Sequence, residues 1–145
     1  MMNPSPSKNL HERIAAWSDA HLAEARAFVH SYAELIPRDL NNAQLYGLAN
    51  IARSVNQYAN LAEFLKNQMM KAERAGKSKM QDCWQSLNTK LTAYRAEAAN
   101  ITRAAGSRPD QADAVHLQLV QRFVQHLIAE SLICAKTSQR EQKRR

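Results

Sequence analysis

Apolar side chains recur at alternating spacings of four and three residues through one long stretch of the chain, and this pattern strongly constrains the fold. It runs without a slip through Met80, Trp84, Leu87, Leu91, Tyr94, Ala98, Ile101 and Ala105. A heptad pattern of this length predicts one long helix with a continuous apolar seam. Ser78, with Gln81 three residues later, predicts a capping box at its start, and Gly106 predicts its end. Such a seam is usually core in a bundle, so Trp84 and Tyr94 are predicted to be buried.

Helix-breaking residues are scarce, with 3 Gly and 4 Pro in 145 residues. This scarcity favours long helices over an all-β sandwich, which needs a turn about every 8–12 residues. The apolar stripes predict helices at about 8–36, 41–55, 58–75, 78–105 and 110–137. The predicted fold is therefore an all-α, single-domain bundle of about five helices with a long N-terminal helix. The bundle domain spans 8–137, between a disordered N-terminal arm at 1–7 and a basic C-terminal tail at 138–145.

The composition points to a cytoplasmic protein without a membrane partner. Cys83 and Cys134 lie on predicted apolar stripes, which is typical of buried reduced thiols. No apolar run approaches the roughly 18 residues that a membrane-spanning helix needs. The N-terminal stretch MMNPSPSKNL has no apolar core of the kind found in secretion signals.

No catalytic or metal-binding constellation can be assembled from the sequence. HERIA at 11–15 begins like a zinc-protease helix, but Ala15 stands where the second histidine ligand belongs. AGKS at 75–78 imitates the end of a phosphate-binding loop, but it lacks the first glycine of that loop and the strand before it. His21 and His126 are predicted to pack at the bundle surface rather than to bind a ligand. We therefore expect a protein that is not an enzyme and needs no cofactor or metal.

The charge distribution favours a polyanionic partner. The formal net charge is +7, and the sequence pI is about 9.7. Within 66–79 five basic residues face one acid; Lys71 and Arg74 share a helical face, and Lys77 and Lys79 lie in the adjoining loop. A second string comprises Lys90, Arg95, Arg103 and Arg108. Cations spread along a helix and loop suit a phosphate backbone, whereas the alternative is a solvated charged edge.

The predicted outer face of the 41–55 helix is uncharged and rich in hydrogen-bonding groups, with Arg53 at its flank. Its members are Ala43, Tyr46, Gly47, Asn50, Ser54 and Gln57. A glycine inside a helix costs about 1 kcal/mol relative to alanine, so Gly47 needs an explanation. Small residues let another backbone come close, and Tyr46 can stack on a base or a neighbouring side chain. The alternative is that Gly47 is simply tolerated on an exposed face.

Three segments together resemble the small, all-helical subunit of type III CRISPR effector complexes. They are IPRDLNNAQLYGLANIARSVNQYANLAEFLKNQMMKAER, CWQSLNTKLTAYRAEA and LQLVQRFVQHLIAESLICAK. Their order is a loop with a basic residue, a short helix with a Gly-Leu pair, a helix with a basic end, and two long helices. The resemblance covers about 36–136.

The resemblance implies a non-catalytic subunit that stacks in several copies, head to tail, along a guide RNA–target RNA duplex, together with larger effector-complex subunits. Basic and polar residues on one face would hold the nucleic-acid backbone without reading its sequence. Charge and position in this chain then select the candidate phosphate contacts Arg38, Arg53, Lys71, Arg74, Lys77 and Lys79. The same criteria select Tyr46 and Asn50 as accessory contacts.

Two other functions fit parts of the sequence. ARSVNQYANLAEFL, from Ala52, can be aligned with a helix-turn-helix that has Asn56 at the turn, which would indicate a dimeric DNA-binding regulator. A helical protein–protein adaptor would instead use the 80–105 seam to pair with another chain, although an internal core is the commoner use of such a seam.

Overall fold

The computed structural model describes residues 6–35 and 42–144, and these form an all-α bundle in which no β-strand occurs. The α-helices are α1 (Pro6–Ala20), α2 (Leu22–Ser31), α3 (Asn42–Ser54), α4 (Tyr58–Arg74), α5 (Ser78–Ala104) and α6 (Ala112–Arg144). Short 3-10 turns follow α2, at Ala33–Leu35, and precede α6, at Pro109–Gln111. The predicted fold class is confirmed.

The antiparallel hairpin of α5 and α6 is the centre of the bundle. The predicted seam of α5 faces inward, with Trp84 2% and Tyr94 3% exposed, so both are core residues as predicted. Phe123 of α6 is fully buried, and its ring lies 5.2 Å from that of Tyr94. The seam is therefore occupied within this chain and is not available to pair with another protein.

The remaining helices pack around this hairpin. Helix α2 contacts α6, and Tyr32, which follows α2, donates a hydrogen bond to Ser86 of α5 at 2.9 Å. Helix α3 also packs on α6, where the Gln121 amide donates to the Ala52 carbonyl at 2.9 Å, while α4 packs on α5. Because 52 lies beside 121, and Leu45 lines the same cavity as Ser131, α3 runs antiparallel to α6.

The predicted long N-terminal helix is present as two segments that meet at His21. The Trp17 carbonyl accepts the His21 backbone N–H at 3.1 Å and lies 2.7 Å from the His21 Nδ1, which must donate because a carbonyl only accepts. The Ser18 carbonyl accepts from His21 N–H at 3.2 Å and from His126 Nε2 at 3.1 Å. Side chains that enter the backbone ladder of a helix kink it. His21 and His126 do pack, as predicted, but they pack to hold a kink that the prediction lacked.

Polar side chains of α5 contact the residues at this kink. The ring of His21 stacks on Trp17, and its Nε2 lies 3.3 Å from Glu97, which also accepts the Trp17 indole N–H at 3.1 Å. Glu24 forms an ion pair with Lys90. Burial first, and then the carboxylates Glu24 and Glu97, raise the pKa of Tyr94, so its hydroxyl stays protonated.

The predicted helix ends are confirmed at both glycines, and the predicted capping box is wrong. Gly76 has φ +70°, and the Lys77 N–H donates to the Ala72 carbonyl at 2.9 Å, which is a Schellman ending of α4. Gly106 ends α5 in the same way. The turn after α4 is so tight that Lys77 already occupies the N-cap of α5, and no side chain caps this end. Ser78 is therefore the first helical residue and not the cap.

The chain ends differ from the predicted boundaries. Helix α1 begins at Pro6, inside the predicted arm, and residues 1–5 lie outside the described part. The backbone of α6 is helical through Arg144, well past the predicted end at 137.

Cys83 and Cys134 are both free thiols, as expected. Cys83 is 4% exposed, and burial raises its pKa to about 12. Cys134 is half-buried, and its pKa is also raised by burial. Neither thiol is oxidised to a disulfide.

Candidate nucleic-acid interface

The end of α4 presents a basic depression that contains two of the predicted phosphate contacts. Leu61, Leu65 and Ala72 form the buried face of α4, so Lys71 and Arg74 lie on the exposed part of its surface. Their depression is lined by Phe64, Asn67, Gln68, Met70, Lys71 and Arg74 and has a volume of about 250 Å³. The amides of Asn67 and Gln68 add neutral donors beside the two cations, as at sites that contact phosphate and sugar.

The two cations of this depression, Lys71 and Arg74, form no ion pair with any described carboxylate, and neither does Lys66 on the same helix. Among the described side chains no carboxylate lies within ion-pair distance of Lys66, Lys71 or Arg74. Glu73 is on the same helix but does not line the depression. Lys71 and Arg74 occupy the last turn of α4, where the helix dipole also favours positive charge. Position in the helix therefore stabilises the two cations without removing them from solvent.

Lys77 and Lys79 follow immediately but differ in their surroundings. Lys77 lies in the turn between α4 and α5 and is exposed. Lys79 forms an ion pair with Glu34 at 3.0 Å, and both side chains are largely exposed. An exposed pair of this kind contributes about 0–1 kcal/mol, so a polyanion can compete with Glu34 for Lys79. Arg38 lies outside the described residues.

The second basic string is largely neutralised by carboxylates from neighbouring segments. Lys90 pairs with Glu24 of α2, and Arg95 pairs with Asp113 of α6 at 2.8 Å. Arg108 pairs with Asp110 at 2.9 Å. Of the four cations, only Arg103 has no ion-pair partner among the described side chains. Lys90 and Arg95 therefore serve contacts between helices, which the local sequence does not reveal.

The α3 candidates are exposed, and one of them lines a groove other than the α4 depression. Tyr46 is 52% exposed, and Asn50 and Arg53 are exposed. Arg53 lines a groove between α3 and α6 that shares no residue with the α4 depression. The structure thus places Lys71 and Arg74 in one depression and Arg53 in another.

The groove beside Arg53 includes side chains that the sequence analysis did not select. Gln121 and Gln125 of α6 line it, and Arg122 is exposed on the same helix. The sequence could have indicated this face through the spacing of Gln118, Gln121 and Gln125. This spacing places three amides on one helical face with no acid among them.

Among the described residues, nothing packs closely on the position of the missing Gly47 side chain. A Cβ added at Gly47 would meet no atom within 4 Å. No internal packing therefore requires glycine here, and the approach of another backbone stays a prediction.

No metal-binding cluster of three or more His, Cys, Asp or Glu side chains occurs in the described residues. None of the described helices is long and apolar enough to cross a membrane. No family model, curated protein or solved structure matches this chain.

Proposed function

We propose that this chain is a non-catalytic, cytoplasmic helical subunit that binds a nucleic-acid backbone through the basic depression of α4. The observation that carries the proposal is the contrast between two sets of cations. Lys71 and Arg74 have no carboxylate partner among the described side chains, whereas Lys90, Arg95 and Arg108 are paired. A phosphate displaces only water and counterions from the first set, but it has to compete with carboxylates at the second.

The finer part of the proposal is that the protein is the small subunit of a type III CRISPR effector complex. On this model, several copies line a guide RNA–target RNA duplex beside larger subunits and take part in antiviral defence. The sequence resemblance over about 36–136 supports this part. Adjacent repeat–spacer arrays and genes for large effector subunits would support it further.

The proposed contact is independent of nucleotide sequence. Lys71 and Arg74 are three residues apart on one helix, so their side chains lie side by side. Such a pair neutralises phosphates but has no fixed geometry for base edges. One copy offers few phosphate contacts, so binding becomes tight only when several copies act on one strand.

Salt titration tests the phosphate contact. Replacing Lys71 and Arg74 together by alanine should flatten the plot of log affinity for mixed-sequence RNA against log salt by about 2, because two counterion-releasing contacts are lost. Fluorescence anisotropy at several salt concentrations measures this slope.

The matched control is the double variant Lys90→Ala/Arg95→Ala, which removes the same charge from cations that are paired with carboxylates of other helices. Its slope should stay near that of the unchanged protein. Equal slopes for the two double variants would show that net charge and not the α4 depression governs binding. A strong preference for one DNA duplex would favour the regulator, and no binding at physiological salt would contradict the proposed phosphate contact.

A further inference from the structure

The groove between α3 and α6 has an apolar floor of small and branched side chains. It has a volume of about 380 Å³ and is lined by Ala49, Ala52, Arg53, Gln121, Val124, Gln125, Ile128, Ala129 and Leu132. The hydrogen bond from Gln121 to the Ala52 carbonyl joins the two helices at one end. The α6 residues from 121 to 132 span about 17 Å, which is about three helical turns.

Two exposed apolar side chains lie beyond the other end of this groove. The large exposed apolar side chains among the described residues are Tyr46, Met70 and Ile133. Tyr46 precedes Ala49 by one turn of α3, and Ile133 follows Ala129 by one turn of α6. Because α3 and α6 are antiparallel, Tyr46 and Ile133 continue the groove in the same direction. Exposed apolar surface that extends a groove is typical of an interaction site.

Among the described residues, Arg53 lines the groove and the exposed Arg122 follows the lining residue Gln121, and no acid lines it. Helix α3 has no Asp or Glu, and Arg53 is exposed at its groove side. On α6 the one acid between 114 and 136 is Glu130, which is 12% exposed and held by Arg26 at 2.9 Å. Arg53 and Arg122 have no ion-pair partner among the described side chains.

We propose that this groove docks an acidic amphipathic helix of a protein partner. An apolar floor about three turns long, with small alanines along it, fits the apolar stripe of a helix, and the cationic rim selects carboxylates beside that stripe. A phosphate backbone would leave Val124, Ile128 and Leu132 unmatched, so the floor favours protein over nucleic acid. The groove therefore has a role separate from that of the α4 depression, and Tyr46 and Arg53 serve the protein partner.

The test uses the full chain and a designed peptide of about 12 residues, with Leu and Ala on one helical face and Glu on the other. A second peptide with Lys in place of every Glu is its control. Amide chemical shifts recorded with about 1 mM peptide should change for residues around 46–53 and 121–133 with the acidic peptide alone. No shift with the acidic peptide, or equal shifts with both, would overturn the proposal.

Groove variants identify the surface. Arg53→Glu/Arg122→Glu should weaken binding of the acidic peptide by about tenfold or more, since two attractive contacts become repulsive. Ala129→Phe should also weaken it, by filling the floor from an exposed position. The control Lys66→Glu/Lys71→Glu makes the same charge change on α4 and should leave peptide affinity within about twofold.

RNA binding by the same variants separates this inference from the proposed function. The α4 variant should lose RNA affinity, and the groove variant should retain most of it. If the groove variant loses RNA affinity but keeps its affinity for the acidic peptide, the groove binds nucleic acid and the proposal is wrong. If both variants keep their RNA affinity, the α4 proposal is contradicted, and the peptide result still stands. Thermal unfolding of each variant checks that it is folded.

Discussion

At the scale of single residues, two glycines sit in or beside helices for different physical reasons. Gly76 adopts φ +70°, a conformation that side-chain-bearing residues rarely take, and it ends α4. Gly47 lies within α3 with no positive φ and with open space where a Cβ would project. The fold therefore needs glycine at 76, and nothing in the described part of the chain needs it at 47.

This difference predicts opposite effects of the same substitution. Gly47→Ala should raise the free energy of unfolding by about 0.5–1 kcal/mol, because alanine favours the helix and meets no neighbour. Gly76→Ala should lower it by about 1–2 kcal/mol, because alanine is strained at positive φ. Urea unfolding with unchanged m-values measures both. A loss of stability in Gly47→Ala would mean that α3 packs more closely than the structure shows.

At the scale of elements, the break between α1 and α2 depends on contacts from distant helices. The stacked pair of Trp17 and His21 meets Glu97 of α5, and Ser18 meets His126 of α6. These contacts orient the two helical segments against the α5–α6 hairpin. His21 thus links the break between α1 and α2 to α5 and is not an ordinary surface histidine.

Removing the His21 side chain should lower the free energy of unfolding. His21→Ala loses the ring stack and the contacts to Glu97 and Glu24, so we expect about 1–2 kcal/mol of destabilisation. The matched control is His30→Ala on the exposed side of α2, which should change stability by no more than about 0.5 kcal/mol. Chemical denaturation of the two variants measures the difference, and equal values would contradict the role of His21.

At the scale of the whole molecule, one buried histidine couples the stability of the bundle to pH. His116 of α6 is 4% exposed, and its Nε2 donates to the Leu91 carbonyl of α5 at 2.8 Å. Burial is the main cause that lowers the pKa of His116 below its ordinary value of 6.5. The ring is therefore neutral in the folded bundle at neutral pH.

The lowered pKa sets the sign of the pH dependence. Below about pH 6.5 the unfolded chain binds a proton at His116 before the folded chain does, so the free energy of unfolding falls as pH falls. His116→Gln, which retains an amide donor but does not titrate, should be less sensitive between about pH 7 and pH 5. Urea unfolding at both pH values gives the comparison. An equal pH dependence in the two proteins would assign the effect to other groups.

The sequence by itself determined the helices, the buried seam of α5 and the glycine stops, because helical periodicity and backbone conformation are local properties of the chain. It also indicated the cations of α4, which lie opposite that helix's own apolar face. Only the tertiary structure decided that α1 and α2 are divided at His21, that Lys90 and Arg95 are paired, and that Arg53 belongs to a groove with α6. Each of these depends on side chains brought together from helices far apart in the chain, and spacing along one helix does not encode those distances.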